Sequence, residues 1–278
     1  MRLDCAGRVL DLTRPQVMGI INVTPDSFSD GGRFNRLDTA LEQARQMVND
    51  GATILDVGGE STRPGAPDVA LQEELNRVVP VVEAISSELD VVISVDTSKA
   101  QVMREAVASG AGLINDVRAL QEPGALAAAA DLQVPVCLMH MQGQPRTMQQ
   151  SPVYGELMTD IRGFFEARIE ACVAAGIPRE LLLLDPGFGF GKTLDHNYQL
   201  LARMREFLDM GLPLLTGLSR KSMFGNLLER QVDQRLAASL AGALLCAQEG
   251  ASVLRVHDVR ETVDVLKVLA ETQKWQDG

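Results

Sequence analysis

Apolar positions along the chain follow two periods that alternate. Short β-rich runs recur at 17–21, 53–57, 91–95, 112–114, 135–139, 181–184, 213–216 and 252–256. Several are almost wholly apolar, as parallel strands covered on both faces are. Between them the period is helical. Leu37, Ala40, Leu41, Ala44, Met47 and Val48 share one face. So do Leu157, Ile161, Phe165, Ile169 and Cys172, and further on Leu236, Leu240, Ala243, Leu244 and Ala247. Gly51, Gly110, Gly176, Gly211 and Gly250 each follow a periodic stretch, where a left-handed residue ends a helix. The next strand starts within a few residues, so the connections from helix to strand are short. Those from strand to helix are long and polar, most clearly at 22–35, 58–70, 141–151 and 185–193.

Eight strand-then-helix units with no linker, low-complexity tract or composition step between them predict one α/β domain over residues 1–278, a (β/α)8 barrel. The competing arrangement is an open, doubly wound sheet. Length alone suits either about two average domains or one barrel of ~250 residues. A closed barrel of this kind carries its active site at the C-terminal ends of its strands, where the long loops gather.

Composition narrows the function. Hydrophobic residues make up 46% and charged residues 23%, the balance of a folded chain. Aromatics are only 4%, so Ala, Val, Leu, Ile and Met must build the core. A net charge of −11 argues against a protein whose main task is to hold nucleic acid, but leaves room for a small anion met by a few local cations. No apolar run approaches the ~18 residues of a membrane helix, and the first residues carry an early acid and no apolar core, so neither a membrane span nor a signal peptide is expected. Cys5, Cys137, Cys172 and Cys246 form no CxxC pair, and His140, His196 and His257 lack zinc spacing. A disulfide framework and a metal cluster are thus not expected, and a reducing cytoplasm is.

The strand ends carry the chemistry. In order they offer Asn22, then Gly58-Gly59-Glu60-Ser61-Thr62-Arg63, Asp96, Asn115-Asp116, His140 and Asp185. The seventh runs into Gly217-Leu218-Ser219-Arg220-Lys221, and the eighth carries Arg255 and His257, two apart and on one face of the strand. Asp96, Asn115 and Asp185 suit the edge of a nitrogen heterocycle, where a carboxylate makes paired hydrogen bonds. Arg63, Lys221, Arg255 and His257 suit a phosphate or pyrophosphate. Each residue also has a plainer reading. Asp96-Thr97-Ser98-Lys99 reads as a helix N-cap. Asp185 before Pro186-Gly187 reads as a turn, Arg255 as a surface cation, and His257 as a cap on the last helix.

Gly187-Phe188-Gly189-Phe190-Gly191-Lys192-Thr193 ends like a phosphate-binding loop, but Pro186 stands where that motif needs Gly, and the spacing misses GxGxxG. Its glycines instead let backbone approach a flat ligand, with Phe190 available to pack on it. Ser29-Asp30-Gly31-Gly32, Gly58-Gly59 and Pro64-Gly65 mark the first two long loops as lids.

These residues fall into ordered motifs. Asn22-Val23-Thr24-Pro25-Asp26-Ser27-Phe28-Ser29-Asp30-Gly31-Gly32 and Asp56-Val57-Gly58-Gly59-Glu60-Ser61-Thr62-Arg63-Pro64-Gly65 resemble the two leading signatures of the bacterial dihydropteroate synthases. The likeness continues through Ser94-Val95-Asp96-Thr97, Ile114-Asn115-Asp116 and Asp185 to Lys192, then Ser219-Arg220-Lys221-Ser222 and Arg255-Val256-His257-Asp258. It spans essentially the whole chain.

The resemblance implies a TIM barrel, usually a homodimer. The implied reaction joins 6-hydroxymethyl-7,8-dihydropterin diphosphate to p-aminobenzoate, giving 7,8-dihydropteroate and pyrophosphate. Asp96, Asn115, Asp185 and Lys221 would hold the pterin. Thr62, Arg255 and His257, joined by Arg63, would hold the diphosphate, and Asn22 would contact a bridging Mg2+. Phe28, Pro64 and Phe190, with Ser219 and Ser222, would line the aminobenzoate pocket, where sulfonamides would compete. Asp30 and Arg63 would sit on the closing lids. Two rivals share parts of this pattern. A pterin-binding methyltransferase of the same barrel would not need the diphosphate cations or the first lid, and a non-catalytic paralogue would not need the full set. An aldolase using Lys221 as a Schiff base is a more distant alternative.

Overall fold

A computed structural model of the chain describes residues 1–24, 33–61, 68–143, 148 and 152–275, with backbone only for 33–36. Phe28, Asp30, Thr62, Arg63 and Pro64 lie outside the described residues.

Eight parallel strands close into a barrel: β3 (Gln16–Asn22), β4 (Ile54–Gly58), β5 (Val92–Asp96), β6 (Leu113–Asp116), β7 (Val136–Met139), β8 (Leu182–Asp185), β9 (Leu214–Thr216) and β10 (Ala251–Val256). β10 closes the ring by pairing with both β9 and β3. Each strand falls within a residue or two of its predicted run. The helices are α1 (Arg33–Asn49), α2 (Leu71–Glu88), α3 (Ala100–Ala108), α4 (Ala125–Leu132), α5 (Leu157–Ala174), α6 (Leu194–Arg203), α7 (Ser222–Leu228), α8 (Leu236–Gln248) and α9 (Val259–Gln273). Gly51, Gly110, Gly176, Gly211 and Gly250 all have positive φ at or just past a helical end, as their positions in the pattern require.

An N-terminal hairpin precedes the barrel and lies outside the predicted elements: β1 (Arg2–Cys5) and β2 (Arg8–Asp11), antiparallel around Ala6 and Gly7, both at positive φ. Its Leu3, Cys5 and Leu10, with Leu12 just beyond, cluster with Met18, Ile54, Val92, Leu113, Cys137, Leu183, Leu215 and Val253. That set takes one residue from every barrel strand, so the hairpin plugs the bottom of the barrel.

The plug fixes which side chains point inward. With a side-chain period of two, the next inward positions above Met18, Ile54, Val92, Leu113, Cys137, Leu183 and Val253 are Ile20, Asp56, Ser94, Asn115, Met139, Asp185 and Arg255. Above those come Asn22, Gly58, Asp96 and His257. The barrel interior therefore changes from wholly apolar to mostly polar in one step up the strands.

The predicted face of α8 is rotated. Its buried residues are Ser239, Gly242, Ala243, Cys246 and Ala247, while Leu236 and Leu245 are exposed. Small residues are what the close approach demands: a Cβ at Gly242 would lie 2.6 Å from the Phe224 ring. The leucines, which dominate the pattern by hydrophobicity, are displaced to the flank and the outer surface.

Candidate functional site

Asp56, Asp96, Asn115 and Arg255 meet across the barrel from four strands. Arg255 donates from Nε to Asp56 Oδ2 at 2.6 Å and from Nη2 to Asp96 Oδ2 at 2.7 Å. Asn115 Nδ2 donates to the same Asp56 oxygen at 3.1 Å. The second Asp56 oxygen is buried and, among the described residues, accepts no hydrogen bond. A buried acceptor without a donor is costly. Asp56 belongs among the site residues, and the sequence reading placed it only in a motif. Period two counted from Ile54 was the signal that could have found it.

Burial pushes the Asp96 carboxyl up to about 7 against the pull of the Arg255 charge, with Asp56, Asp116 and Glu74 adding to the rise. Burial also raises the Asp185 carboxyl, opposed by the Gly187 N–H and by the charges of Lys221, Arg255 and Lys192. One Asp185 oxygen accepts from Gly187 N at 2.8 Å. The turn reading of Asp185 therefore holds for one oxygen. Lys221 is pushed down to about 8 by burial, opposed by Asp185. Its Nζ stands 4.1 Å over the Phe190 ring, a cation–π contact between two predicted site residues.

The loop after β8 holds Phe190 by close backbone packing. Gly187, Gly189 and Gly191 all have positive φ. A Cβ at Gly187 would fall 1.9 Å from the His140 carbonyl oxygen, and one at Gly191 2.4 Å from that of Gln142. Glycine is required at both. Phe190 packs with Val117, Met139 and Met148.

His257 accepts the neighbourhood of Ser219: its backbone N–H donates to Ser219 Oγ at 3.2 Å, and its Nδ1 lies 3.0 Å from the same oxygen. It does not cap α9, whose N-cap position is Asp258. Arg220, at positive φ, is tied to Asp258 through both carboxylate oxygens, which joins the loop after β9 to the end of β10. Ser222 is exposed at the start of α7.

Other expectations change. Asp96 caps no helix; the N-cap position of α3 is Lys99, which makes no side-chain cap bond. Thr97 instead donates to Glu74, a fully buried acid that Lys99 also binds, and Lys99 reaches Glu60 as well. Asp116 faces away from the mouth and accepts from Ser98 Oγ and from the N–H groups of Arg118 and Leu120. Arg255 is not a free cation. Two of its five N–H donors are bound to carboxylates of the protein itself. Among the described residues, no acceptor engages the other three.

Asn22 ends β3 at the mouth, half-buried. Among the described residues no group of three His, Cys, Asp or Glu side chains could hold a metal. A single amide oxygen is a hard donor and fits an ion that keeps water and substrate oxygens in its shell, as Mg2+ does.

With this geometry in place, likeness to known proteins becomes informative. Residues 18–257 match the family model described as pterin binding enzyme. The dihydropteroate synthase of Escherichia coli (strain K12) is 57% identical over 272 residues, 98% of this chain and 96% of that protein. Among solved structures, the Yersinia pestis dihydropteroate synthase in complex with a sulfonamide drug superposes with a TM-score of 0.95 at 60% identity, covering 99% of this chain and 100% of that one. The Xanthomonas albilineans dihydropteroate synthase in complex with 7,8-dihydropteroate gives 0.90 at 50% identity, covering 98% and 99%. Sequence, fold and the polar layer of the barrel agree: the chain belongs to the dihydropteroate synthase family of pterin-binding enzymes.

Proposed function

We infer that the chain joins 6-hydroxymethyl-7,8-dihydropterin diphosphate to p-aminobenzoate, forming 7,8-dihydropteroate and releasing pyrophosphate. The observation that carries this reading is the convergence of Asp56, Asp96, Asn115, Arg255, Asp185 and Lys221 at one barrel mouth. Carboxylates and an amide suit the aminopyrimidinone edge of a pterin. Three acids facing two fixed cations favour a ring that gains positive charge. That is the electrostatic demand of a dissociative substitution, in which the C–O bond to diphosphate breaks before the amine attacks. The aromatic amine is already a neutral nucleophile, so no strong base is needed. Asp185 and Lys221 hold the pterin ring, and Phe190 closes the pocket from the side of the aminobenzoate.

Arg255, through its remaining N–H donors, and His257, with Thr62 and Arg63, serve the diphosphate. Mg2+, held at Asn22, would supply charge neutralisation for the diphosphate oxygens. Phe28, Pro64, Ser219 and Ser222 belong to the aminobenzoate pocket, Asp30 and Arg63 to the lids, and sulfonamides compete for the same pocket.

The working form is a homodimer. α8 carries no charged residue, and its outer face presents Ala237, Ala241 and Leu245 to solvent at four-residue spacing. A helix apolar all round is normally covered on both sides. Leu227 and Leu228 on α7 and Val268 on α9 are exposed as well, and a second copy would cover them. No helix among the described residues is long and apolar enough to cross a membrane. All four cysteines are buried free thiols, in keeping with a cytoplasmic enzyme.

The test is pyrophosphate release from the pterin diphosphate with Mg2+, with and without p-aminobenzoate, and with the product identified by mass. Formation of 7,8-dihydropteroate is expected. Absence of both pyrophosphate and dihydropteroate refutes the reading.

A further inference from the structure

A lysine sits wholly inside the protein, directly beneath the loop that carries Phe190. Lys192 is 2% exposed. Its Nζ lies 3.0 Å from His140 Nδ1, 2.9 Å from the Gly187 carbonyl oxygen and 3.1 Å from that of Phe190. An ammonium has three protons and no lone pair, and here it meets three acceptors. The two carbonyls belong to the ends of one tight turn, since Phe190 N also donates to Gly187 O at 3.1 Å. The ammonium therefore ties both ends of the turn from below, which sets the direction in which the Phe190 ring leaves the backbone.

His140 completes the device. Burial and the Lys192 charge push its imidazole down to about 2, so it stays neutral, with Nδ1 accepting and the proton on Nε2. Its ring stands edge-on to Phe164 at 5.0 Å, and its backbone N–H donates to the Asp185 carbonyl at 2.8 Å. The loop is also held by Asn197, which accepts from Gly189 N at 2.7 Å, and by Tyr154, which donates to Gly191 O at 2.7 Å. Burial pushes Lys192 down to about 7, and of the charged groups that act on it Asp185 from β8 favours the ammonium while Lys221 from the loop after β9 opposes it. A buried ammonium is expensive unless fully paired. One that touches no open space and spends all its protons on a single turn and its neighbour is there for geometry.

We propose that Lys192, with neutral His140 as its third acceptor, is a positioning residue that fixes the 187–191 turn and thereby the Phe190 wall of the p-aminobenzoate pocket. This rests on the functional reading above. The pterin-facing carboxylate of Asp185 lies at the end of β8, whose ladder bonds to β7 fix it without Lys192. Loss of the ammonium should then fall mainly on one substrate.

The experiment is steady-state kinetics with both substrates on the parent, Lys192→Met, His140→Asn, His140→Leu, Phe190→Ala and the double variant Lys192→Met/Phe190→Ala. Lys192→Met is expected to raise KM for p-aminobenzoate about tenfold or more, the scale of one lost buried hydrogen-bonding group. The KM for the pterin diphosphate and kcat should change by less than about threefold on the same scale. In the Phe190→Ala background the same substitution should have little further effect, because the ring it positions is gone. His140→Asn supplies an amide oxygen in place of Nδ1 and should stay near the parent, whereas His140→Leu should shift the same KM in the same direction. If Lys192→Met does not fold, the two His140 variants decide. Equal losses for both substrates, full additivity with Phe190→Ala, or a parent-like KM in His140→Leu overturns the proposal. A parent that turns over neither substrate refutes the functional reading instead.

Discussion

Replacing Arg255 by Met tests the electrostatic logic of the mouth most directly. Arg255 makes charge-assisted bonds of 2.6 and 2.7 Å to Asp56, which is fully buried, and to Asp96, which is nearly so. Removing one partner of a buried ion pair costs about 3–5 kcal/mol. The Arg255 side chain is 21% exposed, so water reaches part of the gap and the lower end, about 3 kcal/mol, applies. For a chain of this size that lowers Tm by about 5–10 °C. The pH dependence is the sharper signature. The Asp96 carboxyl already sits at about 7, far above its ordinary 3.8, with Arg255 as the main force holding it down. Without Arg255 the folded-state value of Asp96 rises further above that of the unfolded chain. The parent already carries this penalty between the unfolded value near 4 and about 7; the extra penalty of the variant grows only above about 7, by at most about 1.4 kcal/mol per pH unit. Urea unfolding at pH 5 and pH 8 should show a larger deficit at the second than at the first. The triple variant Asp56→Asn/Asp96→Asn/Arg255→Met should regain stability at pH 8 without regaining activity. Because Arg255 also holds the two acids in place, the single variant should bind free pterin more weakly as well as the diphosphate. A deficit equal at both pH values, or a triple variant no more stable than the single, refutes the argument.

Three further outcomes follow from particular side chains. Asp185→Asn should weaken pterin binding by about ten- to a hundredfold in calorimetry, the scale of one buried charge-assisted hydrogen bond; unchanged affinity removes Asp185 from the pterin site. His140 is neutral in the fold and gains a proton on unfolding at any pH between about 2 and its ordinary 6.5. Its contribution to stability is thus complete above pH 6.5 and declines as pH falls, by about 1.4 kcal/mol per unit. His140→Asn should flatten the parent's loss of stability between pH 6 and pH 4, and superimposable slopes count against it. Ala241→Glu/Leu245→Glu should turn a dimer into a monomer by light scattering with little change in Tm beyond the lost association; a parent that is already monomeric at micromolar concentration sinks the account of the outer face of α8.

The chain's local patterns determined a great deal. Short apolar runs located all eight barrel strands, helical periodicity located helices between them, and glycines marked helix ends, because each of these depends only on neighbours in sequence. The polar strand ends likewise announced where the chemistry would be. What the local pattern could not assign is which member of a polar pair faces inward. Asn115 looks into the mouth and Asp116 away from it, because strand register in the closed barrel decides, not residue type. The ion pair between Arg255 and Asp56 joins residues 199 apart, and the acceptors of the Lys192 ammonium include a ring 52 residues distant. α8 shows the same limit: hydrophobicity alone favours its leucines for the core, and only the closeness of Phe224 reserves that face for glycine and alanine. Sequence sets the elements because hydrogen bonds and side-chain direction repeat locally. Closure of the barrel sets the partners, because burial makes distant charges answer to one another.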